Sequence, residues 1–518
     1  MNAATTGADA GRKTARRITG GTAAVAVPVA VVLVALLVRL HDLGSESIWL
    51  DEAYSFGFAR PDRTLKEVVW ATGGDFHPPL YYLVLHEFLR FGQDAFWLRL
   101  PSALCGALAA GAVAVAGRVA AGTVAGLIAG LLFALAPTPV AYAQEARMYA
   151  LLSLEIGVGL AAFLWLARDR ARLFPPPRAV LGSGRGTALP VAWVLLSAAI
   201  GTAMLTHNLG VYFPVLVGLA VLMLWRAGPD PHWRDLATAA IFGVLGLLLW
   251  LPWVPYLAKQ LKQVSGGYWI AAPTSADVLR DFVALTLGRE EAALGLAAVL
   301  VALALVAFAF ARAHEDRRTF ALLTLFALGP IALALVVNLW RPLYLPRTLS
   351  WVAIPVFVLV AAALVRLPSR ALTVALTITL LAVTGYQTQR YFATQSKPGW
   401  AEIVSYLAGH WQNGDAVVIH RASAILPFDF HRHAATLRTA MPDPIGIADP
   451  ADAAMALLPP GTRRVWLIYS FADQDDRDRH IRRTFADGGR IVETRDFGGP
   501  PDLGRPTVTL IELRRTGL

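Results

Sequence analysis

The sequence predicts a polytopic α-helical membrane protein that ends in a small α/β domain, and three observations predict it. Of its 518 residues 56% are hydrophobic and only 16% charged, which lies outside the balance of ordinary water-soluble domains. The apolar residues gather in runs of about 20, the length that crosses a bilayer as a helix. From about residue 390 onward the apolar runs become short and rich in β-branched side chains, and helical patterns alternate with them, as in a small α/β layer.

Taken in order, spans are expected over 22–40, 98–117, 122–140, 148–167, 189–206, 210–225, 236–256, 292–312, 319–339, 348–366 and 370–388, about eleven in all by the length criterion. The Ala/Gly-rich leader 1–20 is expected to be disordered. It carries Arg12, Lys13, Arg16 and Arg17, which place it in the cytoplasm by the positive-inside rule. No small-residue cleavage site precedes the polar end of the first run, so it reads as an uncleaved anchor. Arg168, Arg170, Arg172, Arg178 and Arg185 follow the fourth span and are also cytoplasmic on the same rule. These two assignments decide the status of His77 to Leu89. A crossing there would send the Arg168–Arg185 loop outside, and the stretch is short and carries His86 and Glu87. It is therefore expected to lie along the membrane as an interfacial helix, which makes 41–97 one large external loop. Segments 141–147, 207–209, 257–291 and 340–347, and the whole tail from about 390, are expected on the same external face.

In the tail, strands are expected over Asp415–His420, Arg464–Tyr469 and Pro506–Ile511, with helices over Trp400–Trp411 and Asp475–Phe485. The domain limits that follow are 1–20 for the leader, 21–390 for the membrane body and 391–518 for an extracytoplasmic accessory domain. The net charge of +10 comes from arginines scattered through short loops between apolar runs. Membrane topology produces that distribution, and it argues against a nucleic-acid partner. The single cysteine, Cys105, excludes an intramolecular disulfide.

The residues that carry chemistry collect on the external face. Asp51 and Glu52 lie just past the first span, flanked by Trp49 and Tyr54. In an extended segment the two carboxylates would point opposite ways, so that one can act as a base while the other orients the backbone or binds a cation. His77, fixed by Pro78 and Pro79 in a rigid entry to the interfacial helix, can bind substrate or metal. Arg147, at the mouth of the fourth span beside Gln144 and Glu145, suits a phosphate or carboxylate. The next external cap brings His207 and Asn208. Arg341 and Arg347 stand against the positive-inside bias and call for an anionic partner such as a lipid phosphate.

Trp49-Leu50-Asp51-Glu52-Ala53, His77-Pro78-Pro79-Leu80-Tyr81-Tyr82, Arg99-Leu100-Pro101-Ser102, Glu145-Ala146-Arg147-Met148-Tyr149 and Tyr344-Leu345-Pro346-Arg347 occur in that order. Together they resemble the bacterial branch of glycosyltransferase family 39, the protein O-mannosyltransferases and their relatives. That family lies within the GT-C superfamily, which also holds the lipid A aminoarabinose transferases. The resemblance covers about residues 20–395. It implies a GT-C type membrane body and an inverting transfer of a sugar, mannose or arabinose-like, from a polyprenyl-phosphate donor to a hydroxyl. The acceptor class, a glycan, lipid or protein of the cell envelope, stays open, because the compact tail departs from the long β-rich insertion of the eukaryotic members. By resemblance Asp51 is the catalytic base and Glu52 its acidic partner. Arg347 is the donor-phosphate clamp, with Arg147 and Tyr344 beside it, and His77, Tyr81, Gln144 and His207 are the substrate-binding candidates. A divalent metal, Mg or Mn, held by Glu52 and His77 is an optional cofactor. The expected setting is a multi-pass protein of the plasma membrane, monomeric or weakly dimeric. The competing reading is a transporter or lipid flippase, against which stand the lack of a visible internal repeat and the gathering of polar residues at one face.

Overall fold

The computed structural model describes the chain apart from residues 1–3, 182–186, 266–272, 289–304, 307–308, 310–316, 395–396, 435–440, 448–454, 471–479, 501–502 and 515–518. Among the described residues nine helices are long and apolar enough to cross a membrane. A tenth span follows if the bent pair Thr123–Leu135 and Pro137–Ala143, 61° apart, counts as one. Ten of the expected spans are thereby matched, and 292–312 lies, all but a few positions, outside the described residues. The leader differs from expectation. The first helix runs Ala4–Leu40, because alanine, arginine and lysine in the leader are good helix formers.

The chain divides into two compact units, the last segment of the first ending at Arg390 and that of the second beginning at Tyr391. Residues 1–41, 63–84 and 100–390 form the membrane unit. Residues 42–62, 85–99 and 391–518 form the second, so much of the first external loop belongs with the C-terminal domain. That 42–62 and 85–99 join the C-terminal domain could not be read from sequence, since it depends on long-range contacts.

In the membrane unit, neighbouring helices approach through small residues. A Cβ on Gly126 would come within 2.5 Å of the Ala114 carbonyl oxygen, and one on Gly130 within 2.8 Å of the Ala114 methyl; such close backbone contact is what binds helices where water gives no drive. The break at 136–137 also has a local cause. Pro137 has no N–H to offer the preceding turn, which leaves carbonyls there without helical partners. Arg39 takes two of them, donating from Nη1 to the Ala134 oxygen at 3.0 Å and from Nη2 to the Phe133 oxygen at 3.4 Å. Thr388 donates its hydroxyl to the Leu135 oxygen at 2.6 Å. Gln144 closes the arrangement by donating Nε2 to the Arg39 and His41 carbonyls at 3.2 and 2.6 Å. The end of the first helix and segment 144–147 are thereby fixed to each other.

In the second unit, strands β1 (Asp415–His420), β2 (Ile445–Ile447), β3 (Arg464–Tyr469), β4 (Gly489–Asp496) and β5 (Thr507–Leu513) form one sheet in the order β2-β1-β3-β5-β4. β1 is parallel to β2 and β3, while β5 is antiparallel to β3 and β4. The alternation of a strand sends Val417, Ile419, Trp466 and Ile468 into one apolar layer with Trp400, Val404 and Leu407 of the helix Trp400–His410. Val418, Val465, Leu467 and Tyr469 enter the other, with Ile481 and Phe485. Asp415 anchors the start of β1, accepting from Arg464 Nη2 at 2.6 Å and from Trp466 Nε1 at 2.8 Å. Three strands and the first helix agree with expectation, and the second expected helix is described only from His480 to Asp487.

Candidate active site

The Asp51-Glu52 pair is helical rather than extended. The helix Leu50–Ala59 begins with both carboxylates in its first turn, where they face the positive end of the helix dipole. Successive side chains on a helix diverge by about 100°, and their surroundings differ accordingly. Glu52 is fully buried and Asp51 half-buried. Glu52 Oε1 and Oε2 accept from Arg99 Nε and Nη2 at 2.7 and 2.8 Å, a bidentate fork. The remaining Arg99 donors go to the carbonyls of Leu43, Glu46 and Ser47 at 3.1, 3.0 and 2.9 Å. Every N–H of the guanidinium is thus used to hold segment 43–52. Lys397 Nζ lies 3.8 Å from Glu52 Oε1, and the Trp49 amide donates to Glu52 Oε2 at 3.5 Å. Glu52 thereby fixes the turn from which Asp51 projects. These residues all belong to the second unit.

The membrane unit brings together another set of candidates. His77 Nδ1 and Asp75 Oδ2 are 3.1 Å apart. The His77 ring lies 5.4 Å from the ring of His207, which in turn lies 6.3 Å from that of Tyr149. His207 Nδ1 accepts the Leu209 amide at 3.0 Å, so its ring proton sits on Nε2. Burial, and then the charges of His77, Arg147 and Arg347, hold the His207 imidazole well below its usual value, which keeps it neutral at physiological pH. At Asp75, burial works to raise the carboxyl. The hydrogen bond and charge of His77 and the charge of Arg147 outweigh it, and the net direction is down. His207 thus pairs with His77 and feels the charges of Arg147 and Arg347.

Secondary contacts hold this cluster in place. Asn208 Nδ2 donates to the Phe76 carbonyl at 2.9 Å and to Gln260 Oε1 at 3.0 Å, tying the His77 segment to the His207 turn. Ser102 donates to the Arg147 carbonyl at 3.2 Å and meets the Tyr81 hydroxyl at 3.0 Å, and Arg147 Nη1 reaches the Tyr82 hydroxyl at 3.5 Å. Gln144 gives its amide to the end of the first helix, as described above, and Tyr81 is buried; both sit in the frame that carries Arg147. Tyr344 is buried and hydrogen-bonded to Asp281, and burial first, then the Asp281 carboxylate, raise its phenol.

Glu52 and His77 do not fit a shared metal. Glu52 has both oxygens in the Arg99 fork, and His77 has its Nδ1 against Asp75. Among the described residues no group of three or more His, Cys, Asp or Glu converges as ligands would.

Sequence reasoning passed over Asp75, Arg99, Lys397 and His431 as site residues. Asp75 had a signal, lying two residues before His77. Arg99 had a weaker one, an arginine that opens an apolar span. Lys397 and His431 meet the first loop only through tertiary structure.

No protein-family model and no curated protein matches the chain. Among solved structures, ArnT from Cupriavidus metallidurans in the apo state is similar with a TM-score of 0.59 and 17% identity, over 93% of this chain and 97% of its own. The same protein bound to undecaprenyl phosphate gives a TM-score of 0.55 and 16% identity over the same shares. The apo oligosaccharyltransferase from Archaeoglobus fulgidus gives 0.50 and 12% identity, over 87% of this chain and 70% of its own. The chain has the fold that these proteins share.

Proposed function

Proceeding from that GT-C fold, we propose that the protein is a membrane glycosyltransferase which moves a sugar from a polyprenyl-phosphate donor to a hydroxyl of a cell-envelope acceptor, with inversion, at the extracytoplasmic face. The observation that carries this reading is that Arg147 and Arg347 stand at the ends of two apolar spans, with the charges of both bearing on the buried His207. Two guanidinium groups beside a membrane are suited to a lipid phosphate, because their planar forks match its oxygens. The similar ArnT was solved with undecaprenyl phosphate bound.

The chemistry assigned to this chain is a single displacement. The acceptor oxygen forms a bond to the anomeric carbon as the bond from that carbon to the phosphate oxygen breaks. Asp51 takes the hydroxyl proton as general base. The leaving polyprenyl phosphate keeps the electron pair, and Arg347 and Arg147 receive its growing charge. His207 Nε2–H is a further donor toward an oxygen. Glu52 serves by holding the Asp51 turn, and Tyr344 stands beside Arg347 in sequence as part of the phosphate site. No step is routed through a metal.

One observation favours the transporter reading. Glu155 is a buried carboxyl within the span Tyr149–Ala167, accepting from the Thr206 hydroxyl at 2.9 Å, and intramembrane acids mark ion paths in transporters. Binding of undecaprenyl phosphate to the purified protein discriminates at the phosphate site. Wild type is expected to bind it, and Arg347→Ala and Arg147→Ala each to lose about ten- to a hundredfold in affinity, in line with charge-assisted bonds of about 1.5–3 kcal/mol. Equal affinity in wild type and both variants contradicts the assignment.

A further inference from the structure

The C-terminal domain touches the turn that carries Asp51 at four places, all within one compact unit. The Ile48 amide donates to His431 Nε2 at 2.9 Å, and the Ile48 carbonyl stands 3.4 Å from the same nitrogen. The shorter contact makes Nε2 the acceptor and puts the ring proton on Nδ1. Ser47 donates its hydroxyl to Glu402 Oε2 at 2.8 Å and accepts the Ala401 amide at 2.9 Å. Lys397 approaches Glu52 at 3.8 Å. Phe56 meets Phe430 edge to face, with ring centroids 5.1 Å apart. His431 and Phe430 lie on the same helix, Ile425–Ala434.

The helix Leu50–Ala59 has only 10 residues, too few to be stable by itself in water. Its place is therefore set by its tertiary contacts. The backbone just before it is buried at Ser47, Ile48 and Trp49, where an amide without an acceptor would be costly. His431 supplies the acceptor for one of these amides, three residues before Asp51.

We infer that His431 is a positioning residue: by accepting the Ile48 amide it fixes the entry to the Asp51 helix and makes the C-terminal domain a working part of the catalytic apparatus. This rests on the transferase reading, since the group it positions is the proposed base. The imidazole must be neutral to accept, and burial keeps it so, lowering its pKa to about 4, against opposing contributions from Ile48, Glu402 and Glu52.

The test compares the full-length wild type with His431→Leu, which removes the acceptor, and His431→Gln, whose Oε1 can stand in for Nε2. Hydrogen–deuterium exchange is read in peptides covering 47–54 and, as a control, in β1 and β3, beside kcat and KM for release of polyprenyl phosphate. In His431→Leu exchange over 47–54 is expected to rise ~10-fold with β1 and β3 unchanged, and kcat to fall ~10-fold or more at little-changed KM, as for a base displaced from its working geometry. His431→Gln is expected to restore both. Unchanged exchange over 47–54 overturns the inference, as does a rise that extends through β1 and β3, which makes His431 a residue of the fold in general. A local rise in exchange with unchanged kcat overturns it too. A local rise that His431→Gln reverses, in a wild type that cleaves no donor, upholds the contact and places the failure in the reaction assigned.

Discussion

Glu52 and Asp51 are neighbours with opposite tasks, and substitutions should separate them. Asp51 is half-buried and outside the Arg99 fork, so Asp51→Asn is expected to leave thermal stability unchanged and to lower turnover by about 10²–10⁴-fold, the usual contribution of a general base. Glu52 is wholly buried against Arg99, which is only 1% exposed. Glu52→Gln leaves that arginine without its counter-charge and is expected to destabilise the second unit by about 3–5 kcal/mol, read as a fall in melting temperature. Arg99→Lys should do nearly as badly, since an ammonium cannot span a fork to Glu52 and three carbonyls at once. The sequence shows both carboxylates and their bilayer-edge position. It does not show that one is taken up by an arginine 47 positions away, so the division of labour became visible only in three dimensions. His431 adds a pH dependence. Its folded pKa of about 4 lies below the usual value of a free imidazole, 6.5, so the unfolded chain binds the proton more readily. The stability this contributes is whole above about pH 6.5 and is lost as pH falls toward about 4, up to roughly 3 kcal/mol. The groups facing the ring, Glu402, Arg99 and Glu52, modulate the effect without changing its sign. Denaturant melts at pH 7 and pH 4.5 should show a smaller acid loss for His431→Gln than for wild type.

At the scale of elements, apolar run length and arginine placement made ten spans legible, and the short run after His77 was separable from them by the same arginine count and by its length. The helix Leu80–Leu89 has 10 residues, too short to cross. What run length could not show is how a span is broken. Thr123–Leu135 and Pro137–Ala143 read as one run, yet Pro137 splits them, and Arg39 and Thr388 take carbonyls at the break. Nor did β2 and β4 announce themselves. β2 is three residues long, and β4 carries Arg490, Glu493, Arg495 and Asp496 on an exposed edge, a common defence against edge pairing that also hides a strand from an apolar search. The close helix contact at Gly126 gives a prediction of its own. Gly126→Val drives a side chain into the Ala114 carbonyl and is expected to destabilise by at least about 1–3 kcal/mol, read as a lower melting temperature in detergent. A variant as stable as wild type would mean that these helices do not meet there.

For the whole molecule, two arrangements carry the functional reading: a carboxylate on a braced turn in one unit, and a neutral histidine under the charges of two arginines in the other. The resemblance in sequence named the residues of both, and the structure adds what holds each in position. The most direct measurement is release of polyprenyl phosphate from a panel of polyprenyl-phosphate sugars by purified wild type, Asp51→Asn and Arg347→Ala, with membrane extract as a source of acceptor. Release from one donor, strongly reduced in both variants while their folds stay intact, is the predicted result and names the sugar. Release that is equal in wild type and Asp51→Asn, or absent from every donor with extract present, would contradict glycosyl transfer by this site.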